Sequence, residues 1–204
     1  MTAHQPYETL RSHDDFEVRR YPEHVLAEIT VEASFEDAGN RAFRTLFGYI
    51  NGKNQSDQKV AMTAPVLQDS TSESIAMTAP VLQECADAWS DCTDGGRFRV
   101  SFVLPEGFTL ENAPRPTDSR VRLRLVPPAV AAATRFRGRW SAANYRKHLE
   151  RLRTALRSEG LSPVGPPRFA RFDPPYKPWF LRRNEIVLSL EDPDDPPGAP
   201  GENR

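Results

Sequence analysis

The order in which strand-like and helix-like stretches alternate constrains this chain more than any single residue does. In FEVRRYPEHVLAEITVEA (16–33) the second half alternates, placing Val25, Ala27, Ile29 and Val31 on one face of a predicted strand. Ser34, followed three residues later by Asp37, then opens a helix in the manner of a capping box. Apolar residues recur at Ala38, Ala42, Phe43, Leu46, Phe47 and Ile50, and Asn51-Gly52 supplies the stop. KVAMTAPVLQ, SIAMTAPVLQ and RFRVSFVLP follow as β-prone segments. The order then recurs. RVRLRLVPPAVAAATRFRG (120–138) reads as a strand bent at its prolines, and a second helix begins near Ser141. That helix carries Tyr145, Leu149, Leu152 and Leu156 on one narrow stripe and ends at Gly160, before RFARFDPP and NEIVLSL close as strands.

Each strand–helix–strand unit leaves a sheet face to bury and supplies one helix to cover part of it. The expected fold is therefore α+β: a distorted, mostly antiparallel β-barrel with two flanking helices, built from two pseudo-symmetric halves. A solenoid would need three or more units. The 204 residues include eleven Phe, five Tyr and three Trp, enough for one substantial core. The expected domain spans 7–190, after a flexible stretch 1–6 and before a disordered tail 191–204. That tail, EDPDDPPGAPGENR, holds too few apolar side chains to offset the entropy of ordering it.

Charge excludes little but directs attention. The net charge of −1 gives no global reason to expect nucleic acid as a partner, although arginines crowd residues 115–183. No apolar run is long enough to span a membrane and the first residues lack a signal-peptide core, so the expected location is cytoplasmic. Cys85 and Cys92 flank Trp89 without further ligands at zinc spacing, which makes two unpaired loop thiols the expectation.

AMTAPVLQ occurs twice, at 61–68 and 76–83, separated by DSTSESI. A polar loop between β-prone copies suits a hairpin, in which Met62 would face Val81 and Val66 would face Met77. Pro65 and Pro80 must then lie at strand ends, edges or bulges, since neither donates to a ladder. Met62 and Met77 read first as gap-filling core and second as a pocket wall, and a thioether is also one of the axial ligand types of haem iron.

GYINGKNQSDQKVAMTAPV (48–66), the second AMTAPV, APRPTDSRVRL (113–123) and FDPPYKPWFLRRNEIVL (172–188) together resemble the SOUL/haem-binding protein family, in its bacterial or plant form with the doubled motif. The resemblance implies a single domain that binds haem or another porphyrin in a shallow apolar cleft beside the first helix. Carried over by position, the site would use Phe43, Phe47 and Ile50 on that helix, then Met62, Met77, Tyr176 and Trp179. Lys53, Lys177, Arg182 and Arg183 would meet the propionates. A flat macrocycle calls for such apolar walls, and its carboxylates for cations at the rim.

Some relatives carry a histidine just before the tyrosine of RRYPEHVL; here Arg20 stands there, which leaves His24 as the axial-ligand candidate. His4 and His13 fall in the N-terminal segment and His148 on the second helix. The function implied is a carrier, buffer or sensor of haem. The alternatives are a weak haem-degrading enzyme, in which the cofactor supplies the chemistry, or an effector-binding module for another amphipathic ligand. The chain shows no nucleophile–base pair, metal-ligand cluster or phosphate-binding loop to favour other chemistry, and its protein partners and oligomeric state are not legible.

Overall fold

The structure, a computed structural model, describes residues 3–55, 72–86, 95–174 and 176–191. In chain order the elements are β1 (Ala3–His4), β2 (Glu8–Ser12), β3 (Glu17–Tyr21), β4 (His24–Ala33), α1 (Phe35–Ile50), β5 (Asn54–Gln55), β6 (Thr78–Ala79) and β7 (Val81–Cys85). There follow β8 (Gly96–Val103), β9 (Arg115–Pro116), β10 (Arg122–Val126), β11 (Ala129–Arg137), α2 (Ala142–Ser158), β12 (Pro163–Arg171), a 3-10 turn (Trp179–Leu181) and β13 (Arg183–Leu190). Nine strands form one antiparallel sheet in the order β10-β4-β8-β7-β12-β13-β11-β3-β2. Two minor pairs complete it, β1 parallel to β6 and β5 antiparallel to β9.

Both helices begin where the sequence signals place them. Ser34 Oγ accepts from the Asp37 amide at 3.2 Å, and Glu36 and Asp37 sit in the positive first turn of α1. Ser141 caps α2 in the same way, through the Asn144 amide at 3.4 Å. The expected stripe Tyr145, Leu149, Leu152 and Leu156 is buried, as are Ala38, Ala42 and Leu46 of α1. α1 lies over β4, β8 and β7, and α2 over β12, β11 and β13. Phe169 of β12 joins the two halves of the core, its ring 5.1 Å from Phe35 and 4.9 Å from Tyr145.

The expected barrel does not close. Among the described residues β10 and β2 are the two edges of the nine-stranded sheet, with no ladder between them. The sheet nevertheless curls, because its connections demand it. β3 and β4 stand six places apart in the sheet, as do β10 and β11, yet only two residues separate each pair. In a flat sheet six places would be about 29 Å, whereas the link reaches about 11 Å at most. The curl is visible in side chains too: Arg124 of β10 reaches Glu84 of β7 at 3.3 Å across two intervening strands.

The same geometry corrects the bent-strand reading of 120–138. Pro127 and Pro128 do not bulge one strand; they separate β10, which pairs with β4, from β11, which pairs with β13 and β3. The hairpin of the doubled octapeptide is corrected as well. The first copy, with Met62 and Val66, lies outside the described residues; in the second, both sides of Val81 are taken by strands other than a hairpin partner, at Phe102 of β8 and Arg171 of β12. Pro80 does fall between two strands, as its missing N–H requires. Cys85 is not a free loop thiol: it is buried in β7 and disulfide-bonded. The chain's other cysteine, Cys92, lies outside the described residues.

Candidate functional site

The predicted wall on α1 divides by burial. Ile50 is 3% exposed and belongs to the core, whereas Phe43 and Phe47 are 37% and 43% exposed. These two rings stack on each other at 5.4 Å and 15°, and Phe43 meets the edge of buried Phe102 at 5.5 Å. The pair thus forms an apolar step on the outer flank of the helix, anchored below by the core. Lys53 joins it after the helix turns back at Gly52. Its aliphatic stem crosses Gly48 so closely that a Cβ there would stand 3.0 Å from Lys53 Cδ. The stem can lie across the helix there because residue 48 is glycine, and the charge acts on Asp118, whose carboxyl it helps Arg120 to hold down. Met77, the described methionine of the two, is half-buried and packs against the core. Met62 lies outside the described residues.

The loop between β12 and β13 presents the remaining predicted residues. Tyr176 is 89% exposed, and Trp179, Phe180 and Leu181 are exposed beside it. Its cations are not idle: Asp173 accepts from Lys177 at 2.9 Å and from the Arg183 guanidinium at 3.1 Å. Burial would raise the Asp173 carboxyl, but those hydrogen bonds outweigh it and hold the group down at about 2. Arg182 donates to the Lys177 carbonyl and lies 4.6 Å over Trp140, and Arg139 lies over Trp179 at 5.0 Å. Arg171 reaches the other way. It sits 5.0 Å from the Trp140 ring while its guanidinium abuts Gly39, one helical turn before Phe43. This stack links the loop to α1. Within it Trp140 Nε1 and Arg171 Nε are buried donors without acceptors among the described residues.

No described histidine stands ready for iron on this side. His24 is buried, with Nδ1 at 2.8 Å from the Pro22 carbonyl and Nε2 at 3.2 Å from the Gln5 amide nitrogen, so both ring nitrogens are engaged. Burial also lowers its pKa, aided by the charges of Arg168 and Arg124. His4 stacks on Phe172, His13 on Phe16, and His148 on Phe136.

The sheet face away from the helices carries a cavity of about 530 Å³ that sequence reasoning missed, save for Arg183 at its margin. Its floor is an ion network. Arg19, fully buried, donates to Glu185 twice, at 2.8 and 3.1 Å, and to Glu17 and Tyr21. Burial alone would lower the Arg19 pKa, but Glu185 outweighs that and holds it above its ordinary value. Arg135 adds a third bond to Glu185 at 2.7 Å and meets the Tyr7 hydroxyl. Arg168, Arg137, Leu82, Phe172 and Val187 complete the walls. The available signal was an isolated charge among the alternate positions of otherwise apolar strands, such as Glu185 before Val187 and Arg135 after Ala131 and Ala133. A solvated face gives the same pattern, so only the curl shows that these charges point into a hollow.

Comparison with known proteins places this arrangement. The chain matches the SOUL heme-binding protein family over residues 2–189. It is 25% identical over 172 residues to Heme-binding protein 1 of Xenopus tropicalis, covering 84% of this chain and 81% of that one. In fold it is similar to the EcmrR C-terminal domain, with a TM-score of 0.61 at 12% identity over 91% of this chain and 98% of that one. It also resembles a hydrolase encoded by lin2189 from Listeria innocua, with a TM-score of 0.59 at 13% identity over 89% and 94% of the two chains. The protein belongs to the SOUL heme-binding protein family.

Proposed function

We propose that the protein binds haem, or a related tetrapyrrole, against the outer flank of α1 and serves as a carrier, buffer or sensor of it. The exposed, stacked pair Phe43/Phe47 carries this reading. Two large rings left in solvent on a ridge beside the buried stripe of the helix are a wall awaiting an apolar partner. The family resemblance would add Met77, which packs against the core, and Met62, which lies outside the described residues. In this reading Lys53 would supply a cation at one edge of the macrocycle, and the loop residues Tyr176, Trp179, Lys177, Arg182 and Arg183 would meet the other. A propionate would compete with Asp173 for Lys177 and Arg183, and the unpartnered Trp140 and Arg171 donors lie within the same stack. The residues therefore fit the macrocycle and its carboxylates. Iron ligation is a separate matter, since each ring nitrogen of His24 already has a partner.

The test is titration with haemin and with iron-free protoporphyrin IX, following the Soret band and fluorescence quenching. Replacing Phe43 and Phe47 together with Ala is expected to weaken both ligands about tenfold or more. Lys53→Ala and Lys177→Ala should each weaken them several-fold, and Met62→Ala should cost more than His24→Ala. Wild-type protein giving no Soret shift would remove the proposal. A loss confined to haemin and to His24→Ala would move the site to the other face of the sheet.

A further inference from the structure

We propose that the cavity on the helix-free face is a second binding site, distinct from the α1 flank, and that it takes a small amphipathic anion: an aromatic carboxylate, sulfonate or phosphate ester. The walls fit an aromatic body. Tyr7, Tyr21 and Phe172 supply rings, and Leu82, Ala170 and Val187 an aliphatic floor. A volume of about 530 Å³ lies within the range of sites for small organic ligands.

The sign of the ligand follows from which charges are already satisfied. Glu185 is the carboxylate lining the cavity, and it receives three hydrogen bonds from Arg19 and Arg135, which leaves it little to offer a cation. Arg183 is held by Asp173. Arg168 and Arg137 are different: neither has a hydrogen bond or ion pair among the described residues. Arg168 is half-buried; its guanidinium carbon lies 5.7 Å from the face of Tyr21, and the Glu84 carboxylate attracts it without forming an ion pair. Burial lowers its pKa, and the attraction of Tyr21 and Glu84 offsets that only in part. A partly desolvated guanidinium with no ion pair, beside aromatic walls, is a fork suited to a carboxylate or similar oxyanion. The N-terminal segment closes the same space. The Gln5 amide donates to the Ala79 carbonyl at 2.8 Å and His4 lies over Phe172, so residues 4–7 cover the cavity.

Anilinonaphthalene sulfonate serves as the anionic probe, and a naphthalene bearing a trimethylammonium group as its cationic counterpart, each titrated into the full chain. The anion is expected to bind saturably at one site and the cation at least about tenfold more weakly. Arg168→Gln should weaken the anion about tenfold or more, and Arg137→Gln, at the exposed rim, by a few-fold. Arg168→Gln should also melt no lower than wild type, since it removes a partly desolvated charge whose burial is only partly offset. The Phe43/Phe47 double variant should leave the anion affinity unchanged, and haemin should not displace the probe. Equal or stronger binding of the cation, or full anion affinity in both arginine variants, would overturn the proposal. So would loss of the probe in the phenylalanine variant or its competitive displacement by haemin, because either result puts the anion on the α1 flank.

Discussion

At the scale of single residues, two positions convert geometry into measurable outcomes. His24 is buried as a neutral ring, with Nδ1 bonded to the Pro22 carbonyl and Nε2 to Gln5. Its folded pKa lies below the ordinary 6.5, through burial first and then Arg168 and Arg124. The unfolded chain therefore binds this proton more readily, so the stability His24 contributes is full above about 6.5 and is lost as pH falls toward the folded value. Denaturant melts of wild type and His24→Gln should diverge most above neutrality and converge near pH 5, about where an unperturbed ring is protonated. A gap that stays constant across that range would show that the ring is not titrating as described. Gly39 is the second position. A Cβ there would stand 2.6 Å from Arg171 Nη1, and that guanidinium is fixed by the Phe35 carbonyl and Gln83. Ala is better than Gly in a helix by about 1 kcal/mol, yet overpacking here costs about 1–3 kcal/mol. Gly39→Ala should lower the melting temperature, and a rise would mean that Arg171 moves aside freely.

At the scale of elements, α1 shows how one helix can serve both core and site. Its stripe of Phe35, Ala38, Ala42, Leu46, Tyr49 and Ile50 is consumed by packing, while the adjacent ridge of Phe43 and Phe47 stays outside. Periodicity places all of these residues on one broad apolar face, and that is as far as a sequence can resolve them. Whether Ile50 or Phe47 meets solvent depends on the angle at which α1 crosses β4 and β8. The start of the helix is local and was legible. Ser34→Ala removes the cap that holds the Asp37 amide and should cost about 1 kcal/mol, read by chemical denaturation, with the aromatic step and porphyrin binding retained. A larger loss, together with lost binding, would show that the cap also sets the position of the ridge. The doubled octapeptide shows the opposite limit. Eight identical residues predict two like strands, yet the described copy pairs with β8 and β12, because strands far away in sequence occupy both of its sides.

At the scale of the whole molecule, the buried ion network ties distant segments together. Arg19 and Glu185, 166 positions apart, meet where β3 approaches β13 across β11. Removing one partner leaves the other as an uncompensated buried charge, so Arg19→Met and Glu185→Gln should each cost about 3–5 kcal/mol. The double variant should cost clearly less than the sum of the two, and strict additivity in that cycle would deny the coupling. Composition, the two capped amphipathic helices, the predominance of antiparallel strands and the aromatic-and-cationic character of the α1 flank were all present in the sequence by itself. Each depends on neighbours a few residues apart, where spacing and chemistry suffice. The open edges of the sheet, the bonded state of Cys85, the engagement of both His24 nitrogens and the hollow holding Arg168 were decided only by tertiary structure. These rest on contacts between strands remote in sequence, and the two-residue links that curl the sheet become a constraint only once the strand order is known.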